Sequence, residues 1–333
     1  MNQNSCDCKL TSFAETAQLV EDYVREEIIQ ETQTKQLCYH TITHAEAVKR
    51  RANLIFESIR PILANGHSNI ELERLKSLLG ISAIAHDMVQ EFAPKQIESK
   101  SRKRLIRVSE IATTKKLTDY IKNLNQKLKE DNCAAAILFK SSDLAIIEDA
   151  ILATICDHDP QAGKTSYSFS PYSIYQPYLY NSQPKASIVG EILALADLGT
   201  LAMDGVKSYL QDGILIFLED NIDLKNFIVG DEKSNGQTKS IKFTQMPNFN
   251  EESIKNRIIT MNRFMVDLAR ERHARLAWEI ASFPPLARQI LKEKIFTGLN
   301  TENINKIQAV VPTNNQTKLS NLIGFLRTYL ENQ

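Results

Sequence analysis

Residues 72–87 read Leu-Glu-Arg-Leu-Lys-Ser-Leu-Leu-Gly-Ile-Ser-Ala-Ile-Ala-His-Asp. Leu75, Leu78, Leu79, Ile81, Ala83 and Ile84 leave almost no polar face, so this stretch predicts a helix buried on all sides rather than a surface helix. Its last turn delivers an adjacent imidazole and carboxylate, His86–Asp87. Neighbours on a regular helix point about 100° apart, so both can face one ligand only where the helix ends or bends.

Helical periodicity extends outward in both directions. Thr11–Ile29 places Phe13, Ala17, Leu19, Val20, Tyr23, Val24 and Ile28 at three- and four-residue steps. His44–Leu63 follows, with stop signals at Pro61 and Gly66. Leu105–Lys129, Asp143–Cys156 and Val189–Leu210 predict further helices, and Glu252–Phe283 one long amphipathic helix ending at Pro284–Pro285. Ile214–Phe217 is the only strand candidate, and it can equally extend a helix. The expected fold class is all-α.

Two stretches interrupt the helices. Residues 159–187 are rich in Pro, Ser and Tyr and hold Tyr167, Tyr172, Tyr175, Tyr178 and Tyr180, half of the chain's ten tyrosines. Loops this long are often functional. Residues 230–251 are polar and Gly/Asn-rich, as expected of a surface loop. The organisation expected is a tail over residues 1–10, a helical domain over 11–229 and a C-terminal helical extension over 252–333, whether separate or part of the same core.

Composition excludes several classes. Forty Lys and Arg balance forty Asp and Glu, so no general field attracts nucleic acid or an anionic membrane. No apolar run approaches the ~20 residues that span a bilayer. No secretory signal opens the chain, and the expected location is the cytoplasm. Of the five cysteines, Cys6, Cys8, Cys38, Cys133 and Cys156, only Cys6-Asp7-Cys8 has metal-like spacing. One close thiol pair without a second reads as a reduced tail.

Four of the six histidines fall in polar–apolar boundary motifs: Tyr39-His40-Thr41-Ile42-Thr43-His44, Ala85-His86-Asp87 and Thr154-Ile155-Cys156-Asp157-His158-Asp159. A further carboxylate, Asp197, stands in the apolar run Ala194-Leu195-Ala196-Asp197-Leu198, where burial demands a cation or several donors. On a continuous helix, His40 and His44 would share a face. A single helical histidine is usually a satisfied or surface group, as we read His67 and His273. Four such elements in the order H…HD…H…D are far more specific. Neutral nitrogen with anionic oxygen suits a divalent cation.

This order resembles the HD superfamily of metal-dependent phosphohydrolases, most closely the bacterial branch of predicted HD phosphohydrolases. The matching segments are Tyr39–His44, Ala83–Val89, Glu110 with Ala112, Thr154 with His158 (one residue longer than the family spacing), and Asp197–Leu198. They span about residues 11–210. The resemblance implies an HD-domain helical bundle with additional C-terminal helices. It implies His44, His86, Asp87 and Asp197 as metal ligands. Asp87 would bridge to a second ion served by His158 or Asp157, so one or two divalent ions (Fe, Mn, Mg, Co, Ni or Zn) are expected. Cyclic-nucleotide phosphodiesterases share the YH-x-x-x-H and HD pattern, which implies His40 as proton donor to the leaving oxygen, beside Asp87. Glu110 is a candidate for orienting a ligand histidine.

The chain departs from the family pattern where a lysine often follows the pair; here the run is Met88-Val89-Gln90-Glu91. Phosphate recognition must then come from elsewhere, and Arg102, Arg104 and Arg107 in and beside the basic run 100–104 are the candidates. The tyrosine-rich loop can stack on a base or form a homodimer contact. The leading expectation is a hydrolase of a small phosphorylated substrate, nucleotide-like in character. The alternative is a catalytically weak signalling module that binds such a ligand. Oxygenase chemistry on a di-iron core has no dedicated support in the sequence.

Overall fold

In a computed structural model of the protein, the residues described are 10–94, 101–159, 173–180, 186–229 and 250–330. The cysteines of the expected tail, Lys100, Tyr167, Tyr172 and nearly all of the loop at 230–251 lie outside them. The architecture is all-α. Its elements in order are α1 (Phe13–Lys35), α2 (Ile42–Leu63), α3 (Asn69–Ala85), α4 (Val108–Glu130), α5 (Ser141–Ala153), β1 (Asp157–His158), β2 (Ile174–Tyr175), α6 (Ile188–Asp197), α7 (Thr200–Asp220), α8 (Ile222–Val229), α9 (Glu251–Glu279), α10 (Pro285–Ile290), α11 (Thr301–Val310) and α12 (Leu319–Leu330). The two short strands pair antiparallel, Asp157 opposite Tyr175. Ile214–Phe217 lies inside α7.

The apolar helix α3 is central, packed against α1, α2, α5 and α6. Ser68 and Glu71 close a capping box at its start, satisfying amide groups that would otherwise be orphaned. Leu72, Leu78, Leu79, Ile81 and Ile84 are fully buried, worth roughly 8–15 kcal/mol of transfer free energy together before chain entropy is subtracted. The C-terminal helices do not stand apart. Met265, Ala269 and Leu276 of α9 share one apolar cluster with Val48 and Phe56 of α2 and Ile192 and Leu195 of α6.

Three predicted helices end differently, and each difference bears on the site. His40 precedes α2 rather than lying on it, because Thr41 is the extended N-cap residue. Helix α5 stops at Ala153, so Asp157 and His158 belong to β1. The stretch expected as one helix over Val189–Leu210 breaks after Asp197. Gly199 lies in the break, where a Cβ would meet Ala196 O at 2.9 Å and Arg51 Cδ at 3.3 Å. The backbone oxygens of Ala196 and Leu195, at 2.9 and 3.0 Å, are what favour glycine there.

Candidate metal centre

Three helix ends converge on four side chains. His44 comes from the first turn of α2, His86 is the C-cap residue of α3 with Asp87 following, and Asp197 is the last residue of α6. One ligand atom from each lies within 4.8 Å of all the others. Asp87 Oδ2 is 2.9 Å from His86 Nε2 and 3.3 Å from His44 Nε2. Asp197 Oδ1 is 3.4 Å from His86 Nε2 and 3.7 Å from His44 Nε2. The His86 Nδ1–H donates to Ala83 O at 2.9 Å, which leaves the Nε2 lone pair facing the carboxylates. Both Nε2 atoms are buried and have no hydrogen-bond partner. Two aimed imidazole nitrogens and two carboxylates form a donor set that fits a divalent cation. The group can therefore hold a metal ion.

The electrostatics agree. Burial lowers the His44 pKa, with the carboxylates only partly opposing it. For His86 the same burial is outweighed by Asp87 and Asp197, which raise its pKa. Against its own burial, Asp87 is held well below the usual carboxylate range by His86 and His40. The two carboxylates thus favour a positive charge at this buried point, which a proton on His86 or a bound cation can supply.

The carboxylates are oriented from behind. Gln90 Nε2 donates to Asp87 Oδ1 at 3.1 Å, and Gln176 Nε2 donates to Asp197 Oδ2 at 3.1 Å. Gln90, three residues after Asp87, thus fixes that carboxylate. Arg51, 1% exposed, donates through Nε to Ala196 O at 2.7 Å and through Nη1 to Asp204 Oδ2 at 2.7 Å. It also holds the C-terminal end of the helix that carries Asp197.

His40 stands beside the group, its Nε2 3.7 Å from Asp87 Oδ2. Its Nδ1 lies 2.5 Å from Glu219 Oε1. The other Glu219 oxygen accepts from the backbone N–H groups of Cys38, Tyr39 and His40 at 2.8–3.1 Å. Glu219 therefore fixes both the ring and the turn that carries it. Arg104 Nη1 lies 2.9 Å from His40 Nε2 and 3.1 Å from Nδ1, against the ring rather than on one lone pair, while Nη2 donates to Asp220.

Other expected residues fall elsewhere. His158 is exposed on β1 and is not part of the four-residue group. Asp157 pairs with Arg107 at 3.1 Å. The early end of α5 is the physical reason, since it carries both residues onto a surface ribbon. Arg102 donates from all three guanidinium nitrogens to the carbonyls of Lys35 and Glu219, so it closes a helix end instead of offering a phosphate clamp. Glu110 faces the site. Its Oε2 is buried without a partner, and burial raises its pKa, reinforced by Asp87 and Asp197. It makes no hydrogen bond to a ligand histidine.

A cavity of about 1170 Å³ opens onto the group. His40, Asp87, Glu110 and Asp197 line its polar part; Tyr209, Phe217, Phe264 and Met265 of α7 and α9 line its apolar part. Tyr175, Tyr178 and Tyr180, the loop tyrosines among the described residues, do not line it. Tyr180 instead donates to Glu279 Oε1 at 2.8 Å. No helix among the described residues is long and apolar enough to cross a membrane. The chain matches no family model, no curated protein and no solved structure.

Proposed function

We propose that the protein is a divalent-metal-dependent phosphohydrolase of the HD type, with His44, His86, Asp87 and Asp197 as its ligands. The observation that carries this reading is the pair of buried, unpartnered Nε2 atoms aimed at two carboxylates within one 4.8 Å group. A divalent ion held there supplies charge neutralisation for phosphoryl oxygens and lowers the pKa of water. The chain's own residues supply the rest. His40, tethered through Nδ1 to Glu219, presents Nε2 on the cavity side of Asp87 and is placed to hold the proton that a leaving oxygen requires. Gln90 and Gln176 keep one oxygen of each carboxylate occupied, so that the other points inward. Tyr209, Phe217 and Phe264 offer aromatic faces to the organic part of a phosphoester, nucleotide-like or otherwise.

Metal analysis of the purified chain, followed by a panel of phosphomonoesters and phosphodiesters on wild type and Asp87→Ala, tests the reading. Metal and turnover in wild type, both lost in Asp87→Ala, are expected. Full metal content and full activity in Asp87→Ala would refute it. The second reading, a binding module without turnover, is favoured by Arg104 lying against the His40 ring. It is the outcome if the loaded wild type binds a phosphoester tightly and hydrolyses none of the panel.

A further inference from the structure

The cavity that reaches Asp87 and Asp197 has one buried cation with an unmet donor. Arg272 of α9 lines it and is 6% exposed. Its Nη1 lies 2.9 Å from Glu279 Oε2, and Glu279 is itself held by the Tyr180 hydroxyl. Its Nη2 is buried and has no hydrogen-bond partner among the described residues. The other arginines on this wall are committed. Arg102 is spent on carbonyls, Arg104 on Asp220, and Arg257 on Asn221 and Asp223.

A buried guanidinium N–H left unmet is destabilising, and native proteins rarely keep one without a use. The Glu279–Tyr180 anchor holds one side of the fork and leaves the other without a protein partner among the described residues. A carboxylate or phosphate oxygen is the partner that a guanidinium takes most strongly. Arg272, Asp87 and Asp197 line the same cavity, so one molecule bound there can face the metal group and Arg272 together.

We propose that Arg272 binds a second anionic group of the substrate, so that the substrate is a phosphoester carrying a further carboxylate or phosphate. This rests on the phosphoester reading of the metal group and narrows its substrate class. Arg272 is a specificity-determining residue that takes no part in bond cleavage.

The test is calorimetric, on metal-loaded full-length protein, with two phosphonates that cannot be hydrolysed: benzylphosphonate and 4-carboxybenzylphosphonate. Wild type is expected to bind the carboxylated compound at least tenfold more tightly. Arg272→Gln is expected to lose that advantage while binding benzylphosphonate within twofold of wild type, and Arg272→Lys to keep part of it. Metal content and circular dichroism equal to wild type qualify each variant. An advantage that persists in Arg272→Gln, or that wild type never shows, overturns the assignment. Failure of the hydrolase reading shows separately, as phosphonate binding without turnover of the matching phosphate esters.

Discussion

Arg51 offers the sharpest link between fold and site. Arg51→Met keeps most of the buried stem's volume and removes the guanidinium. The charge-assisted bond to Ala196 O, at 2.7 Å, is worth about 1.5–3 kcal/mol. A cation at a partly buried helix C-terminus adds roughly 0.3–2 kcal/mol. Asp204 does not become an orphan, because Arg50 Nη2 also reaches it at 2.5 Å; the ~3–5 kcal/mol typical of an isolated buried partner therefore does not apply in full. The expected loss is about 3 kcal/mol in urea unfolding. The same change frees the end of α6, so metal affinity should fall about tenfold, the lower end for residues that support a ligand. Arg51→Lys retains the ion pair with Asp204 and should lose about half of the stability. Stability within 1 kcal/mol of wild type, together with unchanged metal affinity in a competition titration, would show that Arg51 does not position Asp197.

Glu219 predicts a pH signature. Against its burial, the charges of His40 and Arg104 hold its carboxyl well below the ordinary range. A depressed carboxyl contributes stability that is present above its unfolded value of about 4.3 and lost as pH falls through the folded value. Glu219→Gln should therefore cost ~2 kcal/mol at pH 7, with the gap to wild type starting to narrow as pH falls below about 4.3; a gap constant with pH would contradict the assignment. Removal of the metal by a chelator should lower stability by roughly 2.7 kcal/mol relative to protein at one hundred times the ion's Kd. The thermal midpoint of Asp87→Ala should not respond to chelator or added Mn²⁺, and an equal response there would place the ion elsewhere. Gly298→Ala should cost about 3 kcal/mol, because its Cβ would meet the backbone oxygens of Leu201 and Ala202 at 2.2 and 2.8 Å. Gly324→Ala on α12 meets nothing within 4 Å and should be neutral or stabilising by up to ~1 kcal/mol. Equal midpoints for these two variants in a denaturation series would refute the steric argument.

Helices were legible in this chain wherever an apolar stripe repeats at three and four residues, and α3 most of all. The resemblance named His44, His86, Asp87 and Asp197 as one group, and the fold gathers them within 4.8 Å, although Asp197 was expected inside a helix and not at its end. What was not legible depends on long-range contact. Glu219 lies 179 residues from His40, and Gln176 and Arg51 meet the end of α6 only in the folded chain. Nothing local distinguishes them from ordinary polar residues. His158 misled for the opposite reason: it stands between two carboxylates at the expected end of a helix, but the helix ends too early to deliver it.

The segment Glu271–Glu279 carries this point furthest. The run Glu271-Arg272-His273-Ala274-Arg275 lies in the stretch expected to be one long amphipathic helix. Yet the charges do not point outward. Glu271, Arg272, Arg275 and Glu279 are all buried, together with Leu276, whereas His273 and Trp278 are exposed. Steps of one, three and four residues along this set trace one face of a helix, so the periodicity is present but written in charge instead of apolar side chains. That face is matched by a second segment. Ser173 donates to Glu271 at 2.7 Å, Arg275 reaches Asp159 at 3.4 Å, and Tyr180 donates to Glu279. Buried charges are costly unless each is paired, and here the pairing docks residues 173–180 against α9, the same stretch whose Gln176 orients Asp197. The charged face thus does the work of an apolar one in docking residues 173–180 against α9. It leaves two guanidinium donors, Arg272 Nη2 and Arg275 Nε, without a hydrogen-bond partner among the described residues, and of the two arginines only Arg272 lines the cavity.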